Sequence, residues 1–121
     1  MSKFVIRASA SGYKFDLLAT NGQVILSSEV YTSRAAAVKG AASIRMNAPR
    51  ADVENRTEEN FAPMPHPKFE MYQDKAGRYR FRMKAKNGKI IGVSESYTSK
   101  AGCLNGIESV KINAPEAETE G

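Results

Sequence analysis

The segment RYRFRMKAK, residues 78–86, sets Arg78, Arg80, Arg82, Lys84 and Lys86 at every second position, with Tyr79, Phe81, Met83 and Ala85 between them. Alternate residues of a strand share a face, so a strand here lines up five cations. That pattern suits anion binding. With Lys89 beyond the next turn and Tyr72 upstream as a stacking platform, it also suits a nucleic-acid strand. A second polar group, SExYTS, occurs twice: Ser28, Glu29, Tyr31, Thr32 and Ser33, then Ser94, Glu95, Tyr97, Thr98 and Ser99. Hydroxyls, a carboxylate and a phenol ahead of a helix can meet a ligand at its N-terminus. The favoured reading is structural: the hydroxyls cap the helix, the tyrosine packs beneath it and the glutamate pairs with a neighbouring cation.

Other chemistry lacks residues to carry it. His66 is the only histidine and Cys103 the only cysteine, so neither a His/Cys metal cluster nor an intrachain disulfide can form. No P-loop, GxGxxG or GxSxG is present, and no nucleophile is matched with a base. The expectation is a non-enzyme with no catalytic residue, no metal and no cofactor. Cys103 falls in the first turns of a helical run, where the dipole lowers a thiol pKa, but it lies on the apolar stripe and is expected to be a core thiol.

The chain has 121 residues and a formal net charge of +5. The length allows one compact domain or two very small ones. The charge permits attraction to polyanions without establishing it. No apolar run is long enough to span a bilayer, and no charged-then-apolar leader opens the chain. With a single cysteine, a cytoplasmic protein is expected.

The chain is written twice. Residues 13–49 realign with 79–115 without a gap, and seventeen of the thirty-seven positions are identical. Such self-similarity marks a duplicated supersecondary unit. The units are expected at 1–58 and 68–121, joined by a Pro-rich link at 59–67, together forming one compact domain. In the first copy Lys14, Asp16, Leu18 and Thr20 take the comb positions, so the comb is not repeated.

Each copy reads as three strands and a helix. Asn21-Gly22 and Asn87-Gly88 predict two-residue type I′ hairpin turns. Ser33 and Ser99 predict helix N-caps, and Pro49 and Pro115 end the helical runs. The apolar stripes are Ala37, Val38, Ala41 and Ile44 in the first helix and Cys103, Leu104, Ile107 and Val110 in the second. Gly40 and Gly106 occupy equivalent mid-helix positions, where glycine costs roughly 1 kcal/mol relative to alanine, and they predict close packing.

Pairing parity orients the side chains, because directly paired residues share a face. A two-residue turn at Asn87-Gly88 pairs Ala85 with Ile90, Met83 with Gly92 and Phe81 with Ser94 on the inner face. Outside, it pairs Lys86 with Lys89, Lys84 with Ile91 and Arg82 with Val93. A three-residue loop at Lys75-Ala76-Gly77 pairs Phe69 with Met83 and Met71 with Phe81 inside. Its outer pairs are Glu70 with Arg82, Tyr72 with Arg80 and Asp74 with Arg78. Carboxylates thus offset part of the comb, and a charged sheet face is most simply a solvated one. Val5, Leu18, Ile25, Ile91 and Val93 also point outward by parity, giving a mixed face suited to a partner. The candidate binding face comprises Tyr72, Arg78, Arg80, Arg82, Lys84, Lys86, Lys89 and Ile91. Glu29, Tyr31, Glu95 and Tyr97 are secondary polar candidates.

The string GRYRFRMKAKNGKIIGVSESYTSKAGCLNGIESVKINA resembles the YegP-like family, small bacterial proteins of unknown function built on a repeated unit. The first copy departs from the pattern at Asp16 and Leu17-Leu18. The resemblance implies an α+β fold: two tandem βββαβ repeats form one antiparallel sheet with two helices on one face and the other face open. It also implies that the last strands, DVENR at 52–56 and EAETE at 116–120, are exchanged between repeats. Composition alone does not suggest this, since both are acidic and poor in β-branched residues. The expected function is a partner-binding module, with a protein partner first and nucleic acid second. No membrane association is expected, and a tandem pseudo-dimer of this kind is expected to be monomeric.

Overall fold

A computed structural model describes residues 1–121. The first repeat supplies β1 (Lys3–Ser9), β2 (Gly12–Leu18), β3 (Val24–Ser27), α1 (Arg34–Asn47) and β4 (Asp52–Asn55). The second supplies β5 (Lys68–Gln73), β6 (Tyr79–Lys84), β7 (Ile90–Val93), α2 (Lys100–Asn113) and β8 (Glu118–Glu120). All eight strands form one sheet in the order β4-β5-β6-β7-β3-β2-β1-β8. A pseudo-twofold axis therefore runs between β3 and β7, where one pair, Ser27 opposite Val93, joins the halves.

The last strands are exchanged: β4 lies against β5 and β8 against β1. The sheet is mostly antiparallel, as expected, and only these two outer ladders are parallel. Parallel pairing needs a long connection: the twelve residues 56–67 supply it between β4 and β5, and β8 returns to β1 from the far end of the chain. The acidic composition that hides β4 and β8 in the sequence suits their place. They are the sheet edges, where short charged strands discourage further pairing.

Strand alternation and the helix stripes meet in one core. Phe4, Phe15, Leu17 and Leu26 of one half, and Phe69, Met71, Phe81 and Met83 of the other, are fully buried. Ala37, Ala41 and Ile44 cover them from α1, and Cys103, Ile107 and Val110 from α2. Leu104, placed on the stripe by periodicity, is instead 40% exposed. Ser33 and Ser99 cap the helices by accepting from the N–H groups of Ala36 and Gly102. Each helix ends at the Asn of its NAP sequence and tightens into a 3₁₀ turn that contains the proline.

The β5–β6 hairpin has the expected register, with Phe69 opposite Met83, Glu70 opposite Arg82 and Met71 opposite Phe81. The Asn-Gly hairpins differ. Gly22 and Gly88 have φ near +84° and +83°, but no other residue type has positive φ, which excludes type I′ turns. Each tip is a three-residue loop: Ala85 N–H bonds to Lys89 O and Gly88 N–H to Ala85 O, as Ala19, Gln23 and Gly22 do in the first copy. Glycine alone supplies the left-handed residue, and the asparagine side chain accepts from the N–H two residues on. The extra residue is taken up by a bulge between Met83 and Lys84, so Lys84 lies opposite Ile90 rather than Ile91.

Candidate binding surfaces

The bulges change the outer face. Ile91 is 7% exposed and Ile25 9%, and both belong to the core. Ile91 is therefore removed from the candidate binding face, and neither residue adds an apolar spot there. Val5, Leu18 and Val93 remain half-buried on that side.

The comb is real but largely neutralised. Arg82 Nε donates to Glu70 Oε1 at 2.6 Å, and Lys84 Nζ stands 3.2 Å from Glu70 Oε2. Arg80 Nε donates to Asp74 Oδ2 at 2.9 Å, although Arg78 is the directly opposite residue. Tyr72 likewise holds Arg82, whose guanidinium lies 4.7 Å from the ring centroid, and not Arg80 opposite it. Both shifts run along the diagonal of the pair, which long side chains can span. Hydrogen bonds from Arg80 Nε and the N–H groups of Arg78 and Ala76 hold the Asp74 carboxyl below its ordinary range. Arg78, Lys86 and Lys89 remain exposed without an ion pair.

Glu70 belongs to a larger cluster that the sequence did not disclose. The β4–β5 register sets Glu54 beside it, and both side chains are fully buried. Lys68 Nζ lies 2.7 Å from Glu54 and 3.2 Å from Glu70, while Arg56 reaches Glu54 at 2.6 Å and Glu70 at 3.3 Å. The link closes over the top: Met64 N–H donates to Glu54, and Arg56 stacks over Phe61 at 5.0 Å. Burial works to raise the Glu54 carboxyl, but the bonds from Lys68, Met64 and Arg56 outweigh it and hold the pKa down to about 2. Glu70 is likewise lowered: burial opposes, and Arg82, Lys84 and Lys68 prevail. This part of the outer face is a covered structural network, not a free surface.

The first copy has no such network. Val5, Asp16 and Leu18 stand where Glu70, Arg82 and Lys84 do, leaving the pairs Lys3–Glu120 and Arg7–Asp16. The cluster became visible only with the exchanged strand in register, because Glu54 lies in a segment of low strand propensity.

At the axis the outer face dips into a groove of about 450 Å³, lined by Lys14, Ser27, Ser28, Arg80, Val93, Ser94, Glu95 and Ser96. Lys14 and Arg80 are equivalent residues of the two repeats, so the groove is built by duplication. Lys14 makes no ion pair, whereas Arg80 is shared with Asp74 and with Ser94 O at 3.5 Å.

The SExYTS segments serve the scaffold. Ser28 Oγ accepts from Phe15 N–H and donates to Glu29 O, and Ser94 does the same with Phe81 and Glu95. Tyr31 and Tyr97 stack on Phe15 and Phe81 at 6.1 and 6.2 Å and lie beneath the helices. Burial, and then Glu29, pushes the Tyr31 phenol pKa up; for Tyr97 the causes are burial, Cys103 and Glu95. Glu29 and Glu95 are exposed and form no ion pair, which corrects that part of the expectation. Cys103 is buried, and burial pushes its thiol up to about 11. No helix is long and apolar enough to cross a membrane.

The chain matches the model of a domain of unknown function, DUF1508, twice, at residues 8–55 and 74–120. It is 39% identical over 117 residues to a UPF0339 protein of Bordetella pertussis, covering 97% of this chain and 92% of that one. A UPF0339 protein of Treponema denticola is 64% identical over 50 residues, which is 86% of its length but 41% of this chain. Among solved structures, the solution structure of yegP from E. coli, described as a protein of unknown function, superposes with a TM-score of 0.80. It shares 32% identity, and the alignment covers 98% of this chain and 90% of that one.

Proposed function

The chain belongs to the DUF1508 (UPF0339, YegP-like) family as a tandem of two units, and we propose that it is a non-catalytic cytoplasmic module that binds an acidic protein segment across the outer sheet face. The observation that carries this reading is the groove on the pseudo-twofold axis, where Lys14 and Arg80 flank a row of serines. Ammonium and guanidinium groups suit carboxylate side chains, and Ser96 adds a hydroxyl, those of Ser27, Ser28 and Ser94 being donated to Asp16 Oδ1, Glu29 O and Glu95 O. The half-buried Val93 gives apolar contact within the groove. Nucleic acid is the second reading, through Arg78, Lys86 and Lys89. It is disfavoured because Glu70 and Asp74 occupy the central cations and Arg82 covers one face of Tyr72.

The test is fluorescence anisotropy with a labelled Glu/Asp-rich peptide and, separately, labelled single-stranded DNA, at low and physiological salt. The reading expects saturable peptide binding that weakens about tenfold in Lys14→Glu, the scale of one charge-assisted contact. DNA binding that survives physiological salt and is lost in Arg78→Glu/Lys86→Glu/Lys89→Glu would instead establish the second reading. No peptide binding at millimolar concentration rejects the first.

A further inference from the structure

Because a single residue pair joins β3 to β7, the strands part on either side of it. Each opening has a helix above it, α1 packing on β7 and α2 on β3. Between the β6–β7 hairpin, the segment Glu29–Tyr31 and α1 lies a cleft of about 930 Å³. Its walls carry Val30, Ile90 and Ile91, and Lys39, Lys89 and Glu29 supply its charges; Lys84 also lines it. Lys39 and Lys89 are exposed and make no ion pair, while Lys84 is held by Glu70. Val30 is 46% exposed, an apolar side chain at the cleft rather than in the core.

The duplication supplies an internal control. At the equivalent positions of the other repeat, Lys39 is replaced by Asn105, Lys84 by Leu18, Lys89 by Gln23 and Val30 by Ser96. One cleft therefore sets two unpaired lysines, Lys39 and Lys89, beside Glu29, and its counterpart has Glu95 with neither. The scaffold residues at these sites, such as Tyr31 and Tyr97 or Gly40 and Gly106, are unchanged. The two copies thus differ at both unpaired lysines and at the exposed valine of the cleft.

We propose that the α1/β6–β7 cleft binds a small amphipathic organic monoanion, its acid group between Lys39 and Lys89 and its apolar body against Val30, Ile90 and Ile91. The volume lies within the range of small-molecule sites, roughly 300–1,000 Å³, and the mix of apolar wall and few charges is typical of them. Glu29 opposes a second negative charge, so a single acid group fits better than a polyphosphate. This site lies away from the axial groove and does not depend on the function proposed above.

The experiment uses the full chain with 8-anilinonaphthalene-1-sulfonate as fluorescent probe, decanoate as competitor, and amide chemical shifts to locate binding. The variant Lys39→Asn/Lys89→Gln carries the residues of the other repeat at both positions, so the fold is already known to accept them there. Expected are saturable one-to-one binding, displacement by decanoate, shifts centred on residues 29–43 and 84–91, and at least tenfold weaker binding in the variant. A second variant, Val30→Ser, is expected to weaken binding severalfold with an unchanged salt dependence. Equal shifts around Gln23 and Asn105, an unchanged affinity in the double variant, or no saturable binding at millimolar probe would each overturn the assignment.

Discussion

The hydroxyl oxygen of Tyr31 lies 2.3 Å from where a Cβ would stand on Gly40, and Tyr97 stands in the same relation to Gly106. The Phe15 and Phe81 rings come within 3.0 and 3.1 Å of the same points. The helices thus rest on the tyrosines with no room for a methyl group. Gly40→Ala and Gly106→Ala are expected to destabilise by about 1–3 kcal/mol, the usual cost of overpacking, despite the helix propensity alanine adds. Urea unfolding measures this directly. Combining Gly40→Ala with Tyr31→Phe should recover part of the loss, and a stabilised Gly40→Ala would refute the tight contact.

The glycines were legible because duplication marked both, and the β5–β6 register because Gly77 left only one loop length consistent with Phe69 and Met71 facing inward. The Asn-Gly tips misled for a specific reason. Gly22 and Gly88 alone suffice for a three-residue loop, and the resulting one-residue offset turned Ile25 and Ile91 inward. The Glu54–Glu70 contact was hidden because it joins an acidic segment of one repeat to the first strand of the other. The axial groove was legible only in part. Lys14 and Arg80 are equivalent by alignment, but their flanking of one groove required the strand order.

Ser28 and Ser94 each replace a missing ladder bond, with Oγ 2.9 Å from the N–H of Phe15 or Phe81. Alanine would leave a buried N–H without an acceptor, at a cost of about 1–3 kcal/mol. Ser28→Ala and Ser94→Ala should each lower the urea midpoint by a corresponding amount, and threonine should retain more stability than alanine. An unchanged midpoint in both alanine variants would show that water or a shifted backbone satisfies the amide.

The Glu54 cluster sets the acid limit. With its folded pKa near 2 against an ordinary 4.5, Glu54 contributes stability that is complete above about pH 4.5 and lost as pH falls towards 2. Glu70 acts in the same direction, and Lys68, whose pKa is raised, loses its contribution only at alkaline pH above its ordinary 10.5. The melting temperature should therefore fall steeply between pH 4.5 and 2. Glu54→Gln should flatten that slope and cost about 3–5 kcal/mol at neutral pH, the range for breaking a buried pair. An acid slope identical in the variant would place the lost protons elsewhere.

The strand β8 has three residues, all exposed, and is fastened by Arg45. Arg45 Nε donates to Ala117 O at 3.1 Å and its Nη2 to Thr119 Oγ1 at 2.7 Å, with the guanidinium 5.3 Å from the Phe4 ring centroid. The equivalent Lys111 makes no such bond to β4, which is held instead by the buried Glu54 cluster. The two exchanged edges thus have different fasteners, one on the helix side and one on the outer side. Arg45→Ala should speed amide hydrogen exchange at β8 and its partner β1 by about tenfold, the loss of roughly 1–2 kcal/mol of charge-assisted bonding. The β4–β5 ladder should be unaffected. Lys111→Ala should change neither edge, and equal fraying of both edges in Arg45→Ala would mean that global unfolding, not release of β8, governs the exchange.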